Sequence, residues 1–363
     1  MKNIYFLSFF CLFALGCEKS EKIKLNFLDE YVITDGIQFK NTTIGGLSGI
    51  DYANGLYYLV VDDAENPRFL TSKIAIKNDT ISRIDFVSVI QLNDTATSFY
   101  KENVLDLESV FVDKKTKELN FTSEGFINGA KNPSIFTTDS LGKFLRSFKI
   151  PAMFLANSKQ QPRHNATFEG SSKSADGKGF WMAMEAPLTA DGEAPTMNLK
   201  NAPVRITYFE DQTKQATKQF VYPLENITKP AKGTINLNGV TALLEYKKNT
   251  FFVVERTYQN GYGPYGNVVR IFKATIDEKS SDVLRQESLR DEKFIFLSKE
   301  LLFDFEWVTD QLTEGIIDNI EGITLGPKLS NGNESLILVA DDNFQSFGKQ
   351  LNQFILLEIK KDE

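Results

Sequence analysis

Histidine is almost missing from this chain: His164 is the one histidine in 363 residues. No two- or three-histidine metal centre can be built from it, and any Ser-His or Cys-His nucleophile would have to work through that residue. Cysteine is nearly as scarce, with Cys11 and Cys17 the pair present, so a disulfide scaffold is excluded. Basic excess is absent too. The 41 Lys and Arg stand against 48 Asp and Glu for a net charge of -7, which leaves out the positive footprint of a nucleic-acid binder and favours a cation or a basic partner. What is abundant is core material: 42% of residues are hydrophobic and 30 are Phe, a globular composition rather than a disordered one.

The N-terminus carries an apolar run from Ile4 to Leu15 behind Lys2. It is too short to span a bilayer and has the layout of a signal peptide. Its end, Ala14-Leu15-Gly16-Cys17, resembles the bacterial lipoprotein signal. That resemblance implies loss of residues 1–16, a lipid on the Cys17 thiol, and residues 17–22 as a polar tether to a domain over 23–363. Glu18 after the cysteine resembles Gram-negative sorting to the outer membrane, on its periplasmic or surface face. Membrane contact is then expected through the lipid alone.

Beyond the tether, one pattern recurs: a short apolar strand interrupted by an acid or small polar residue, a turn, and a strongly apolar strand ending in a carboxylate. The copies start at Leu47, Leu107, Phe168, Leu237 and Ile320, and their second strands end at Asp62, Glu124, Glu185, Glu255 and Asp341. Each copy reads as a hairpin, with β-branched and aromatic runs separated by Gly, Asn, Asp and Lys turns. Two further strands fit in each interval. Four strands per repeat of this length predicts an all-β propeller with five countable blades. A sixth, degenerate blade or an insertion fits between Asp277 and Asp318. The last copy has room for one more strand, so Ile23 to Ile33 is expected to complete its blade, closing the ring by pairing the termini and removing free edges.

In a propeller blade the first strand lines the channel and the second returns beside it, so the start of one and the end of the other share a rim. This places Glu108, Glu169 and Glu321, with Ser48 and Asn238 as their equivalents, beside Asp62, Glu124, Glu185, Glu255 and Asp341, with Asp63 and Asp342 next to them. Carboxylates crowded around one axis repel, and desolvating them either raises their pKa values or calls for a cation. Oxygen ligands of this kind suit Ca²⁺. The alternative is that each acid bonds backbone N–H groups of a neighbouring blade. Arg68, Arg163, Arg256 and Arg270 are candidates to hold an anionic substrate group, His164 and Glu255 to act as bases, and Tyr262, in a Tyr/Gly loop, to form a substrate platform. Gly261 to Gly266 fits a dinucleotide-binding string, but no βαβ unit surrounds it.

At these positions the chain resembles the phytase-like family, described as having esterase-like activity of phytase. The resemblance is carried by Gly46-Leu47-Ser48-Gly49-Ile50, by Asn165 to Gly170, by Val253-Val254-Glu255-Arg256, by Asp318 to Ile323 and by Val339 to Phe344. It implies an envelope propeller and calcium-assisted hydrolysis of a small anionic or ester substrate. Glu108, Glu124, Glu169, Glu185, Glu321, Asp62, Asp341 and Asp342 are then metal ligands, Glu169 and Glu255 bases, and Arg256 an anion clamp. A non-catalytic binding propeller for a sugar or protein and a calcium lactonase are the alternatives; a monomer is expected in each case.

Overall fold

Each of the five apolar repeats forms the inner part of a four-stranded antiparallel sheet. The computed structural model describes residues 22–93 and 96–361; the signal segment and Cys17 lie outside the described residues. Blade 1 comprises Leu47–Ala53, Leu56–Val61, Arg68–Lys77 and Thr80–Gln91. Blade 2 comprises Leu107–Val112, Leu119–Ser123, Ser134–Thr138 and Phe144–Ser147, and blade 3 Phe168–Lys173, Gly179–Met184, Ala202–Glu210 and Gln215–Leu224. Blade 4 follows with Asn236–Lys247, Thr250–Gln259, Asn267–Thr275 and Ser298–Asp304. Blade 5 takes Asn319–Leu325, Glu334–Asp341 and Asn352–Lys361 from the end of the chain and Ile23–Ile33 from its beginning. The first strands touch one another in a closed ring, which makes the protein a five-bladed β-propeller.

The terminal strands pair in full, from Ile23 opposite Lys361 to Ile33 opposite Asn352, so the outer edge of blade 5 is the N-terminal strand. The segment that left room for a sixth blade or an insertion forms no further blade. Ser298–Asp304 is the fourth strand of blade 4. The loop before it lies along the outer strand of blade 3, donating from Val283 N to Gln219 O at 2.8 Å and from Leu297 N to Val221 O at 2.9 Å.

The core is distributed between blades. Ile337, Val339, Phe354 and Leu356 of blade 5 pack on Leu59, Val61 and Leu70 of blade 1, and Phe69 of blade 1 on Phe121 and Phe136 of blade 2. Fully burying one such side chain is worth about 2 kcal/mol. Phe180 and Phe209 stack within blade 3, their centroids 5.3 Å apart. Small residues let the first strands approach: a Cβ on Gly49 would stand 2.7 Å from Glu108 O, and one on Gly170 2.5 Å from Leu243 N. No helix among the described residues is long and apolar enough to cross a membrane.

Candidate functional site

Every first strand carries a register break near its start. It falls between Leu47 and Gly49, Leu107 and Ser109, Phe168 and Ser171, Val240 and Ala242, and Ile320 and Gly322. Such a bulge re-aims a side chain, and the residues it holds are Ser48, Glu108, Glu169, Thr241 and Glu321. Two matching bonds confirm the alignment: Ser48 Oγ donates to Leu107 O at 2.7 Å, and Thr241 Oγ1 to Ile320 O at 2.7 Å. Thr241, not Asn238, is therefore the blade 4 equivalent.

The second strands shift accordingly. Asp62 N donates to Gly46 O, Glu124 N to Asp106 O and Glu185 N to Thr167 O, while Asn319 stands opposite Asp341. In blade 4 the residue in this register, opposite Gly239, is Arg256. Glu255 is one position earlier, and because strand side chains alternate it faces the other way. It accepts from Tyr222 Oη at 2.6 Å, Lys299 Nζ at 2.5 Å, Asn238 Nδ2 at 3.2 Å and Glu225 N at 3.1 Å. The expectation that Glu255 is a rim base is corrected: it ties blade 3 to blade 4.

Seven carboxylates named from the sequence do converge: Asp62, Glu108, Glu124, Glu169, Glu185, Glu321 and Asp341. All but half-buried Asp62 are buried. Asp106 joins them. Asp62, Asp106 and Glu108 bring carboxylate oxygens within 4.8 Å of one another, as do Glu108, Glu124 and Glu169. Burial first, then mutual repulsion, raises the pKa values. Glu108 is pushed up by burial and the charges of Glu169 and Asp62, Glu169 by burial and Glu124, Asp62 by burial and Asp341, and Asp341 by burial and Glu321. Burial and Glu185 push Glu124 up to about 8. Burial raises Glu321 to about 7 against the pull of Arg256, and raises Glu185 against the same pull. Glu124 Oε1 accepts from Thr167 N, and a Glu124 carboxylate oxygen stands in the trio with Glu108 and Glu169.

Arg256 is the one cation lining this cavity of about 250 Å³ among the described residues. Its Nη2 lies 3.3 Å from Glu321 Oε1 and 3.6 Å from Glu185 Oε1, while its buried Nε has no hydrogen-bond partner. Burial opposes its charge, but Glu185, Glu321 and Glu169 outweigh that and hold it firmly protonated.

The other arginines do not reach the cavity, because each finds a nearer partner. Arg68 pairs with Asp63 at 2.6 Å, Arg270 with Asp304 at 2.9 Å, and Arg163 clasps the carbonyls of Pro187 and Gly192. Asp342 points away from its neighbour Asp341 and accepts from Gly46 N at 2.8 Å, a blade 5 to blade 1 tie rather than a free ligand. His164 is exposed, edge-on to Phe126 at 5.1 Å, although the adjacent Asn165 lines the cavity. Tyr262 donates to Pro230 O at 2.7 Å and lies outside the cavity, whose nearer aromatic is Tyr258. Asp106 is the acid that sequence reasoning missed. Its signal was its place just before Leu107, level with Asn319 before Ile320.

A family model described as phytase-like, with esterase-like activity of phytase, matches residues 42–344 and so takes in all five inner hairpins. No curated protein matches the chain. Similar solved structures include an exo-β-1,3-galactanase from Phanerochaete chrysosporium, at 12% identity over 92% of this chain and 64% of that one with a TM-score of 0.47. A thermostable family-43 glycoside hydrolase is similar at 10% identity over 88% of this chain and 90% of the other, with a TM-score of 0.46. The Malassezia sympodialis allergen Mala s 1 is similar at 11% identity over 90% and 82%, with a TM-score of 0.43.

Proposed function

The chain belongs to the phytase-like family, and from that premise we propose that it hydrolyses phosphate or related esters at the acidic mouth of the channel with the help of Ca²⁺. The observation that carries this reading is the ring of buried carboxylates that face one another with Arg256 as their one cationic neighbour in the cavity lining. The residues fit a hard cation. The two oxygen trios sharing Glu108 offer all-oxygen donors, and burial together with mutual repulsion raises the pKa values of Asp62, Glu108, Glu124 and Glu169, a penalty that a divalent ion relieves. Asp62, Asp106, Glu108, Glu124 and Glu169 would hold it. When bound, Ca²⁺ supplies charge neutralisation and polarisation of a phosphoryl or ester oxygen.

The chain's own groups do the rest. Arg256 presents the guanidinium edge that lines the cavity to an anionic oxygen of the substrate. Glu169, which lines the cavity and whose pKa is raised by burial and by the charge of Glu124, is the acid–base group. The narrow floor of small residues keeps the substrate at the mouth.

We further propose a lipid on Cys17 and an outer-membrane location. Ile23 opens its strand beside Lys361, at the end of blade 5 opposite the carboxylates. A tether of residues 17–22, reaching at most about 20 Å, would then turn the acidic mouth away from the bilayer toward soluble substrate. Turnover of a panel of phosphate esters, carboxyl esters and lactones, with Ca²⁺ and with chelator, tests the function. Calcium-dependent ester hydrolysis is expected; saturable binding without turnover, or turnover of lactones alone, would replace this reading.

A further inference from the structure

Blade 4 is built higher than its neighbours. The inner pair of strands ends at Leu47 opposite Val61, Leu107 opposite Ser123, Phe168 opposite Met184 and Asn319 opposite Asp341. In blade 4 it runs past the equivalent pair, Gly239 and Arg256, through Asn238, Leu237 and Asn236 opposite Thr257, Tyr258 and Gln259. Three more residue pairs raise the hairpin by about 10 Å above the rim.

Alternation sorts its two faces. Leu237 and Tyr258 share the face of Arg256, continued by Ile235, and all line the cavity; Phe347, from the loop after blade 5's second strand, lines it too. Three of these are left open to solvent: Leu237 by 46%, Ile235 by 41% and Phe347 by 73%. The polar side chains of the extension turn to the opposite face and lock it. Thr257 Oγ1 donates to Asn238 Oδ1 at 2.8 Å, Gln259 Nε2 to Asn236 Oδ1 at 2.8 Å, and Ile235 N to Asn260 Oδ1 at 2.8 Å. A rigid apolar surface thus stands directly above the cationic end of an otherwise acidic cavity.

We infer that this extension is a specificity wall, and that the substrate is an ester with a single anionic group and an apolar, ring-bearing or acyl group: the anionic group meets Arg256 and the apolar group packs on Leu237, Ile235, Tyr258 and Phe347. The inference rests on the ester-hydrolase reading and narrows it. A polyanion such as phytate fits poorly, because one arginine faces one anionic group while the remaining phosphates would meet the carboxylates of Glu185, Glu321 and Asp341. An apolar substituent gains by covering surface that is otherwise held in water.

The test pairs turnover with binding. In the calcium-loaded protein, 1-naphthyl phosphate should be hydrolysed with a kcat/KM about tenfold or more above that of glycerol 2-phosphate or phytate. Leu237→Ser and, in the surface loop, Phe347→Ser should each raise KM for the naphthyl ester about tenfold while leaving glycerol 2-phosphate within about twofold. Naphthyl phosphonate, which cannot be hydrolysed, should bind the protein by fluorescence titration and lose about the same factor in each variant. Hydrolysis that favours phytate, or variants that leave naphthyl phosphonate binding unchanged, would overturn the wall. Absence of all turnover with phosphonate binding retained and weakened by both variants would instead overturn the hydrolase reading and leave the wall standing.

Discussion

The two ends of the channel use buried acids in opposite ways. At the lower end Asp51 accepts from Val112 N of blade 2 at 2.7 Å, from Tyr52 N at 2.8 Å and from Thr324 Oγ1 of blade 5 at 3.2 Å, stapling three blades together. Glu245 accepts from Ala175 N of blade 3 and from Asn249 N. Burial raises the pKa of each, but the backbone donors pull it back down. At the upper end Glu108, Glu169 and Asp62 are raised by burial and then further by one another. The same residue type is architectural where N–H groups meet it and left in mutual repulsion, its pKa raised, where it meets its own kind. Charge follows the division: the lower cavity is edged by Lys114, Lys115, Lys173 and Lys328, the upper by carboxylates and Arg256.

The sharpest way to break this comparison is to neutralise one acid at each end. Glu108 belongs to both oxygen trios, so Glu108→Gln should weaken Ca²⁺ binding and calcium-dependent turnover about 100-fold, as ligand losses do. It should also raise the melting temperature of the calcium-free protein, because a repelling charge is gone. Asp51→Ala should do the reverse: lose about 2 to 3 kcal/mol in urea unfolding through the loss of three hydrogen bonds that join blades 1, 2 and 5, with calcium affinity by titration calorimetry unchanged. A Glu108 variant that unfolds yet binds calcium normally would invert the assignment of the two ends.

Proton linkage gives a second, smaller contrast. Glu321 and Glu124 stand at about 7 and about 8 when folded, above the ordinary glutamate value of 4.5, so the folded protein holds more protons than the unfolded chain over that interval. Stability of the calcium-free protein therefore falls as pH rises from about 4.5 to about 8. Saturating Ca²⁺ competes with the Glu124 proton and stabilises more at pH 8 than at pH 5. Calorimetric melting temperatures at the two pH values, with and without Ca²⁺, check both signs; a calcium-free melting temperature that climbs with pH would show the ring to be solvated and uncoupled.

Much of the upper end could be read from the chain because its strand pattern and its acids repeat together. The blade count, the terminal closure and seven of the converging carboxylates follow from that repeat and from which strand ends meet. What escaped depends on single-residue register. Leu237-Asn238-Gly239-Val240 imitates the repeat of the other blades, yet its first two residues belong to the extension, and the bulge lies three residues after Asn238, at Thr241. That offset exchanged Glu255 with Arg256, and in an alternating strand one position reverses the face. Asp342 was misplaced for the same reason. Arg68, Arg163 and Arg270 escaped differently, since loop and third-strand arginines go to whichever acceptor is nearest, and that distance is set by the fold alone.

The smallest expected effect concerns the boundary of the acidic end. His164 stands on the same rim as the carboxylates, beside Asn165, which lines the cavity, but its ring leans on Phe126 and is open to solvent. A base must come within hydrogen-bond reach of the proton it removes, and the cavity lining places Glu169 there and not His164. His164→Asn should change calcium-dependent kcat by less than about threefold and leave the acidic limb of its pH profile in place, since that limb belongs to the carboxylates. A fall of about 100-fold would extend the chemistry outward to the Phe126 shelf. The contrast would then lie between the rim and the floor of the mouth, and not between the two ends of the channel.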